Sequence, residues 1–317
     1  MTTEKIALII GTEVATNGFE SGAALRLSSI KNLIESSGFK VSVTSRARAK
    51  DFLKSDWDLV VLISFSTSSL LRLARERTKL LWFDPTDSWV LTRLSLIRSG
   101  DLKQGFTLVR DLYFIWTSPK IDLITFVSER DSSKERLWWR KRSVPLILSI
   151  EGLDREIKPS KYARLVFSGD GRYRPNQKAL KFLSKTSEFL PSNLQIHLMG
   201  RDLSSKSKRF KVHGYLSHQE MYFSNDIHLA PIEHGGGLKL KVAVPLWNGL
   251  RVISTPEGSS GFKESRLLKI AITPRNFAEQ ISEILREDNH GEEFKPRAEI
   301  YLRHDITEVR LWLENFE

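Results

Sequence analysis

The sequence of 317 residues contains no cysteine. A disulfide framework and a thiolate metal site are therefore both excluded. A lack of cysteine fits a protein of a reducing compartment. No apolar run approaches the roughly 20 residues that a membrane-spanning helix needs, and the first residues, MTTEKIALII, lack the layout of a signal peptide. We therefore expect a cytoplasmic protein without a transmembrane segment, and the sequence leaves peripheral attachment to a membrane open.

Metal-binding patterns are scarce as well. The seven histidines are scattered, and no H-x-x-x-H spacing occurs. Without such spacings the sequence indicates neither a zinc site nor a calcium loop. We therefore expect that the protein binds no metal.

Positive charge is present in excess. The net charge is +11, with 49 Lys and Arg against 38 Asp and Glu, and the excess is larger in residues 1–150 than in 151–317. Such a charge favours anionic partners, among them nucleic acid, a polysaccharide, phosphorylated substrates or lipid headgroups at a membrane surface. A solvated basic surface without a partner is the alternative interpretation.

Strand and helix patterns alternate through the chain, which predicts an α/β protein with two units. The loop after the first strand, which includes Asn17 and Gly18, departs from the G-x-G-x-x-G dinucleotide pattern. A polar run without a period, Glu151–Lys161, separates the two alternations. The predicted strands are 5–10, 40–44, 57–63, 80–83, 123–127, 144–148, 165–167, 194–199, a short one near Val212, 227–230, 250–254 and 267–272. Helices are predicted over 23–36, 70–77, 88–116, 132–139, 176–190, 239–248, 276–286 and 298–316, and a short one near 218–223.

Two acidic residues follow the predicted strand Leu80–Phe83, at the edge where open α/β sheets bind ligands. Asp84 could orient or deprotonate an acceptor hydroxyl there, which makes it a candidate catalytic residue. Asp87 is interpreted as a cap of the next helix, and the same role is the alternative for Asp84.

One stretch combines a short strand, three glycines, a basic helix start and a second glycine-containing turn (NDIHLAPIEHGGGLKLKVAVPLWNGLRVISTPEGSSGF). Gly235, Gly236 and Gly237 let backbone N–H groups turn toward an anion. Lys239 and Lys241 follow at the start of a predicted helix, whose positive end also favours negative charge. These groups suit a diphosphate, and a tight turn with solvated lysines is the alternative.

Further groups could complete such a site. Glu233 and His234 precede the glycines and could contact a sugar, with Glu233 accepting from its hydroxyls. Arg201 opens a basic loop that could clamp phosphate, although a charged loop is more often a solvated face. The segment Arg136–Arg142 interleaves tryptophan with basic residues, as at a membrane interface or on single-stranded nucleic acid. A helix that buries its apolar residues and carries cations at its end is the alternative for that segment.

Four motifs of the sequence resemble those of retaining glycosyltransferases with the GT-B fold, of the family-four type. They follow one another along the chain in the order that this family shows. The clearest is the glycine-rich stretch, with Pro231, the glycine turn, the two lysines, VIST at 252–255, and Gly258 with Gly261. The others are VFSGDGRYRPNQKALKFL, which contains Gly169 and Tyr-x-Pro-Asn at 173–176, IDLITFVSERD at 121–131, and the first strand–loop–helix–strand unit. The resemblance covers most of the chain.

The resemblance implies an α/β GT-B fold, in which two Rossmann-like domains face a central cleft. It divides the chain into an acceptor-side domain (1–152), a nucleotide-sugar-binding domain (153–295) and a C-terminal helix (296–317) that packs back on the first domain. It implies a hexosyltransferase-like enzyme that transfers a sugar from a UDP- or GDP-sugar to an acceptor hydroxyl, with retention of configuration and without a metal. The nucleotide sugar is then a substrate, and no cofactor is expected. Donor binding falls to Asn17, Gly18, Gly169, Arg201, His234, Gly235, Gly236, Gly237, Lys239 and Lys241, while Asp84 and Glu233 are the candidate catalytic residues.

The sequence departs from the family's pattern in the predicted nucleotide-binding helix. The family's glutamate, which binds the ribose hydroxyls, is replaced by Val244, and a valine cannot accept a hydrogen bond. Pro245 stands where an alanine is common, a change that a first helical turn tolerates. Two alternatives follow. One is a catalytically silent binding protein that kept the fold, and the other, suggested by the basic surface, is a glycosyltransferase that acts on a hydroxylated DNA base.

Overall fold

The computed structural model describes residues 4–16, 22–98, 100–139, 143–146, 155–234, 239–262, 265–286 and 306–315. The chain forms two compact units, Met1–Gly152 with Arg303–Glu317, and Leu153–Leu302. Each unit is a parallel sheet with helices between its strands, which confirms the α/β class with two Rossmann-like units. Within the described residues, no helix combines the length and apolar character needed to cross a membrane.

The first unit contains a six-stranded sheet. Its strands are β1 (Lys5–Gly11), β2 (Phe39–Ser45), β3 (Trp57–Ile63), β4 (Thr78–Thr86), β5 (Leu123–Phe126) and β6 (Ser143–Pro145). Its helices are α1 (Glu13–Thr16), α2 (Gly22–Ser36), α3 (Ala49–Phe52), α4 (Leu71–Glu76), α5 (Trp89–Arg98), α6 (Gln104–Thr117) and α7 (Glu129–Trp139), and a 3₁₀ helix covers Phe65–Leu70. The strand order is β2-β1-β3-β4-β5-β6.

Alternate residues of β1 enter two separate cores. Ala7 and Ile9 pack with the inner face of α2, whereas Leu8 and Ile10 pack with α3 and α4. Since helices cover both faces of the sheet, neither face needs polar residues. The uninterrupted apolar sequence of β1 follows from this double burial.

The last described helix, α12 (Thr307–Glu314), belongs to the first unit. Val309 and Leu313 are completely buried in the same core as α2. The Trp312 ring meets the Trp82 ring edge-on, with 6.3 Å between their centroids. The end of the chain therefore completes a core that its first half begins.

The second unit contains another six-stranded sheet. Its strands are β7 (Leu165–Ser168), β8 (Ile196–Met199), β9 (Phe210–Gly214), β10 (Ile227–Ala230), β11 (Arg251–Ser254) and β12 (Leu268–Ile270). Its helices are α8 (Arg174–Glu188), α9 (His218–Met221), α10 (Leu240–Trp247) and α11 (Pro274–Arg286). The order β12-β11-β10-β7-β8-β9 places β10 and β7 side by side at the centre. Since all the strands run in parallel, the loops after β7, β8, β10 and β11 leave from one edge of the sheet.

The structure differs from the sequence-based expectations at several places. The short helix α1 lies in the predicted loop after β1, and the predicted helix 88–116 is two helices, α5 and α6. Strand β4 continues through Asp84 to Thr86 instead of ending at Phe83. Of the helix predicted over 298–316, the first part lies outside the described residues.

Candidate functional site

The turns after β7 and β8 approach each other so closely that a side chain would not fit. A Cβ on Gly171 would lie 1.9 Å from the carbonyl oxygen of Asp202. A Cβ on Gly200, whose φ is +142°, would lie 1.8 Å from the carbonyl oxygen of Gly169. The Gly171 N–H also donates to the carbonyl oxygen of Arg201 at 2.8 Å. At this edge of the sheet the two turns therefore present backbone to each other.

Lys241 lies in the first turn of α10, and its ammonium reaches the turn after β7. Its Nζ donates to Asn176 Oδ1 at 2.6 Å and lies 4.6 Å from the centroid of the Phe167 ring. Asn176 is itself buried, and its Nδ2 donates to the carbonyl oxygen of Asp170 at 2.8 Å. A Cβ on Gly169 would lie 3.2 Å from the ammonium and 2.6 Å from Asn176 Nδ2. The missing side chain at Gly169 thus leaves room for both groups.

The ammonium of Lys241 is poorly stabilised by its surroundings. Burial, with the charge of Lys239 as a second cause, lowers the pKa of Lys241 to about 7. The amide oxygen and the aromatic face that contact the ammonium are both uncharged. A partly buried cation that is held only by neutral groups gains from an added anion. The surroundings of Lys241 therefore suit an anionic ligand.

The end of β10 brings two of the predicted sugar-contacting residues to the same edge of the sheet. Ile232 is buried, Glu233 is exposed, and His234 is partly buried. Burial lowers the pKa of His234, Lys178 acts in the same direction, and Glu233 and Glu257 oppose them. His234 is thus mainly neutral at pH 7 and surrounded by groups of both charges.

The turn after β11 is fastened to the end of β10. Thr255 Oγ1 donates to the carbonyl oxygen of Ile232 and accepts from the Gly258 N–H at 3.2 Å. Ser254 Oγ donates to the carbonyl oxygen of Ala230 at 3.0 Å. A Cβ on Gly258 would lie only 2.6 Å from that same carbonyl oxygen. These bonds fix the backbone from which Glu233 and His234 project.

Arg201 follows β8 and is exposed, with its guanidinium 4.8 Å from the centroid of the Tyr215 ring. Arg172 pairs with Asp170 at 2.6 Å and holds the pKa of that carboxyl below its ordinary value, with a smaller effect from Arg201. Two arginines therefore act on Asp170, Arg172 from the same turn after β7 and Arg201 from the turn after β8. Lys239, directly before α10, is partly buried.

Five of the predicted donor-binding residues lie outside the described residues. They are Asn17, Gly18, Gly235, Gly236 and Gly237. The structure brings Gly169, Arg201, Glu233, His234, Lys239 and Lys241 to one edge of the second sheet or to the start of α10.

The carboxylate of Asp84, expected to orient or deprotonate an acceptor hydroxyl, is buried in the first unit and already bonded. Arg26 forms an ion pair with it, and the Nε–H of Arg26 donates to Oδ1 at 3.2 Å. Thr125 Oγ1 donates to Oδ2, and both Arg26 and Asp84 have almost no exposed surface. The helix cap nearby is made by Ser88, whose Oγ accepts from the Leu91 N–H at 3.1 Å.

The two departures from the family pattern, Val244 and Pro245, both lie in α10. Val244 is buried in α10, one turn after Lys241, so the described helix offers an apolar group where a ribose-binding carboxylate was expected. Pro245 is in the interior of α10 and beyond its first turn, contrary to expectation. Proline has no N–H, so the helical bond to the carbonyl oxygen of Lys241 cannot form.

Sequence reasoning missed two residues that position the ammonium. Asn176 belongs to a quoted motif, but its side chain was not recognised as the partner of Lys241, which lies 65 residues away. Phe167 reads as an ordinary core residue. A helix-start asparagine that follows a proline was the only available signal, and it also fits a simple helix cap.

Metal ligands do not converge in the described part of the chain, where no group of three or more His, Cys, Asp or Glu could hold an ion. An Asp-x-Asp spacing, which can indicate a metal site, occurs in the sequence at Asp56 and Asp58. Asp58 accepts from the Ile6 N–H at 2.9 Å and from Lys79 at 2.6 Å, near the starts of β1 and β3. Asp58 therefore ties neighbouring strands of the first unit together.

Chemically, this edge of the second sheet can hold negative charge. It combines one poorly stabilised ammonium, a second lysine at a helix start, and a glycine at 169 whose missing side chain leaves room beside that ammonium. Fixed donors of this kind act most strongly on charge that develops during a reaction. The arrangement suits a leaving group such as a diphosphate.

Comparison with known proteins establishes the fold. No family model matches the chain, and no curated protein does so by sequence. The chain is similar to HepE of Anabaena, solved with UDP and glucose (TM-score 0.59) and with UDP-glucose (TM-score 0.60). The identity is 12%, over 89% of this chain and 90% of that chain. It is also similar to TarM, with a TM-score of 0.52 and 12% identity, over 81% of this chain and 54% of TarM. The chain therefore has the GT-B fold of two Rossmann-like units.

Proposed function

We propose that the protein is a glycosyltransferase that uses a nucleotide-diphosphate sugar as its donor and binds it at the carboxyl edge of the second sheet. The observation that carries this proposal is the ammonium of Lys241, held by Asn176 over the turn at Gly169. HepE, with a similar fold, was solved with UDP-glucose, which supports a UDP-sugar. As the motif resemblance suggests, we propose that transfer retains the anomeric configuration and needs no metal.

In this proposal, Lys241 and Lys239 stabilise the charge that grows on the departing diphosphate. Glu233 and His234 project from the end of β10 and contact the transferred sugar. No step requires Asp84, because its carboxylate already forms an ion pair with Arg26. The departing phosphate itself accepts the proton of the acceptor hydroxyl.

A donor screen that follows nucleotide release tests the proposal. The full chain is incubated with UDP- and GDP-sugars, and binding of each is measured by calorimetry. We expect Lys241→Met to weaken donor binding by about tenfold to a hundredfold, as for the loss of a charge-assisted contact. Lys185→Met, at an exposed position of α8 in the same unit, is the matched control. Absence of binding for every sugar nucleotide at millimolar concentration would contradict the proposal.

A catalytically silent binding protein is a second candidate, favoured by one observation. Val244 leaves α10 without the expected ribose-binding carboxylate. Binding of a sugar nucleotide without release of nucleotide, in the presence of any acceptor offered, would favour this alternative.

The observation that bears on the acceptor is the net charge of the sequence. The first half of the chain has the larger positive excess, which supports an anionic acceptor such as a nucleic acid, a polysaccharide or a lipid headgroup. Binding to duplex DNA that weakens steeply with salt would support a DNA-modifying enzyme, whereas no binding at low salt would exclude it.

A further inference from the structure

Helix α6 exposes a row of large apolar side chains. Along the chain these five residues are spaced by four, three, four and three positions, so they share one face of the helix. The row, called here the α6 stripe, consists of Leu102, Phe106, Val109, Tyr113 and Trp116, whose exposures are 75%, 86%, 68%, 70% and 65%. It runs along about 20 Å of helix and the turn before it. Single exposed apolar residues are normal, but a continuous row is typical of a binding surface.

The stripe does not contribute to the described core of the first unit. The opposite face of α6 supplies the packing, with Ile115 buried in the core and Leu108 and Leu112 packed against it. Asp111 is also on the inner face, where Arg93 bonds it at 3.1 Å. A helix that is apolar on its inner and outer faces is normally covered on both. The outer face of α6 is therefore available to a second apolar environment.

The exposed charges within the segment that carries the stripe have one sign. Between residues 98 and 120, the exposed charged side chains of the described chain are Arg98, Lys103, Arg110 and Lys120. The aspartates in this segment are buried or partly buried. Helix α7, which packs beside α6, adds exposed Leu137 next to exposed Arg136. Apolar and aromatic groups framed by cations match an anionic lipid surface.

We infer that the α6 stripe docks the protein on an anionic membrane surface, with the apolar side chains among the acyl chains and the basic residues among the headgroups. Tyrosine and tryptophan favour this boundary, because their rings are apolar and their polar groups stay hydrated. A second copy of the chain fits less well. A helical seam between two copies favours Leu, Ile and Val, and the cations beside the stripe would then face each other.

Vesicle flotation of the full chain tests the inference. Vesicles of phosphatidylcholine alone are compared with vesicles of phosphatidylcholine and phosphatidylglycerol. We expect flotation with the anionic vesicles, weaker flotation at high salt, and little with phosphatidylcholine alone. The double variant Phe106→Ser with Trp116→Ser should bind at least about tenfold more weakly. Each single change among Lys103→Gln, Arg110→Gln and Lys120→Gln should cost about fivefold.

The matched control is Tyr162→Ser with Phe189→Ser, which removes two exposed aromatic side chains of the second unit and should float like the unchanged protein. The thermal midpoint and circular dichroism of each variant verify that the fold is intact. Three results would overturn the inference. They are failure of the unchanged protein to float with anionic vesicles, equal flotation of the stripe variant, and a dimer in sedimentation velocity that the stripe variant dissociates. Each can be distinguished from failure of the proposed transferase activity, since flotation needs no sugar nucleotide.

Discussion

At the scale of single residues, Lys241 couples the candidate site to pH. Burial lowers its pKa to about 7, so the side chain is charged at pH 6 and mostly neutral at pH 8. A diphosphate binds the charged form better, and we therefore expect donor affinity to fall about tenfold from pH 6 to pH 8, in proportion to the charged fraction. Calorimetry with a sugar nucleotide measures this, because its diphosphate diester does not titrate in that range. In Lys241→Arg, which stays charged, the affinity should not change with pH.

Asp84 was a candidate catalytic residue, whereas its buried ion pair indicates a role in stability. The ion pair with Arg26 has almost no exposed surface, so Asp84→Ala leaves a buried guanidinium without its partner. We expect a loss of about 3–5 kcal/mol in the free energy of unfolding. The double variant Arg26→Met with Asp84→Leu removes both charges and should be less destabilised than Asp84→Ala. Urea unfolding measures both. A stable Asp84→Ala protein that has lost only its turnover would restore the catalytic assignment.

At the scale of elements, the apolar strands were predictable and the contacts across the sheet were not. Strands β1 and β3 are continuous apolar runs because both faces are covered, so a local pattern shows them. The four-residue helix α1 is too short to show a period. Strand β4 extends past Asp84 because Arg26, 58 residues earlier in the chain, neutralises that carboxylate. The candidate site shows the same difference between local pattern and distant contact. Lys241 was recognised from its local motif, whereas Asn176 contacts it only in the folded chain.

The turn after β7 gives a test at this scale. In Gly169→Ala, the new Cβ would lie 2.6 Å from Asn176 Nδ2 and 3.2 Å from Lys241 Nζ. Both groups are ends of side chains and can move, so stability should change little while donor affinity falls by about tenfold or more. Gly105→Ala in α6 is the matched control, because nothing lies within 4 Å of its added Cβ. That variant should keep its donor affinity and be unchanged or slightly stabilised, since alanine favours a helix over glycine. Equal affinity of both variants would remove Lys241 and Asn176 from the site.

At the scale of the whole molecule, the end of the chain stabilises its beginning. Leu313 is completely buried in the core that contains Ile9 and Ile30, whereas Leu311, on the same helix, is half exposed. We expect Leu313→Ala to lower the free energy of unfolding of the first unit by about 2–5 kcal/mol. Leu311→Ala should cost less than about 1 kcal/mol. Hydrogen exchange followed by mass spectrometry resolves the two units. In Leu313→Ala, protection should fall in β1 and α2 and remain in β7 and β10, because the latter strands belong to a separate core. Equal losses in both units would show that the second unit also depends on α12.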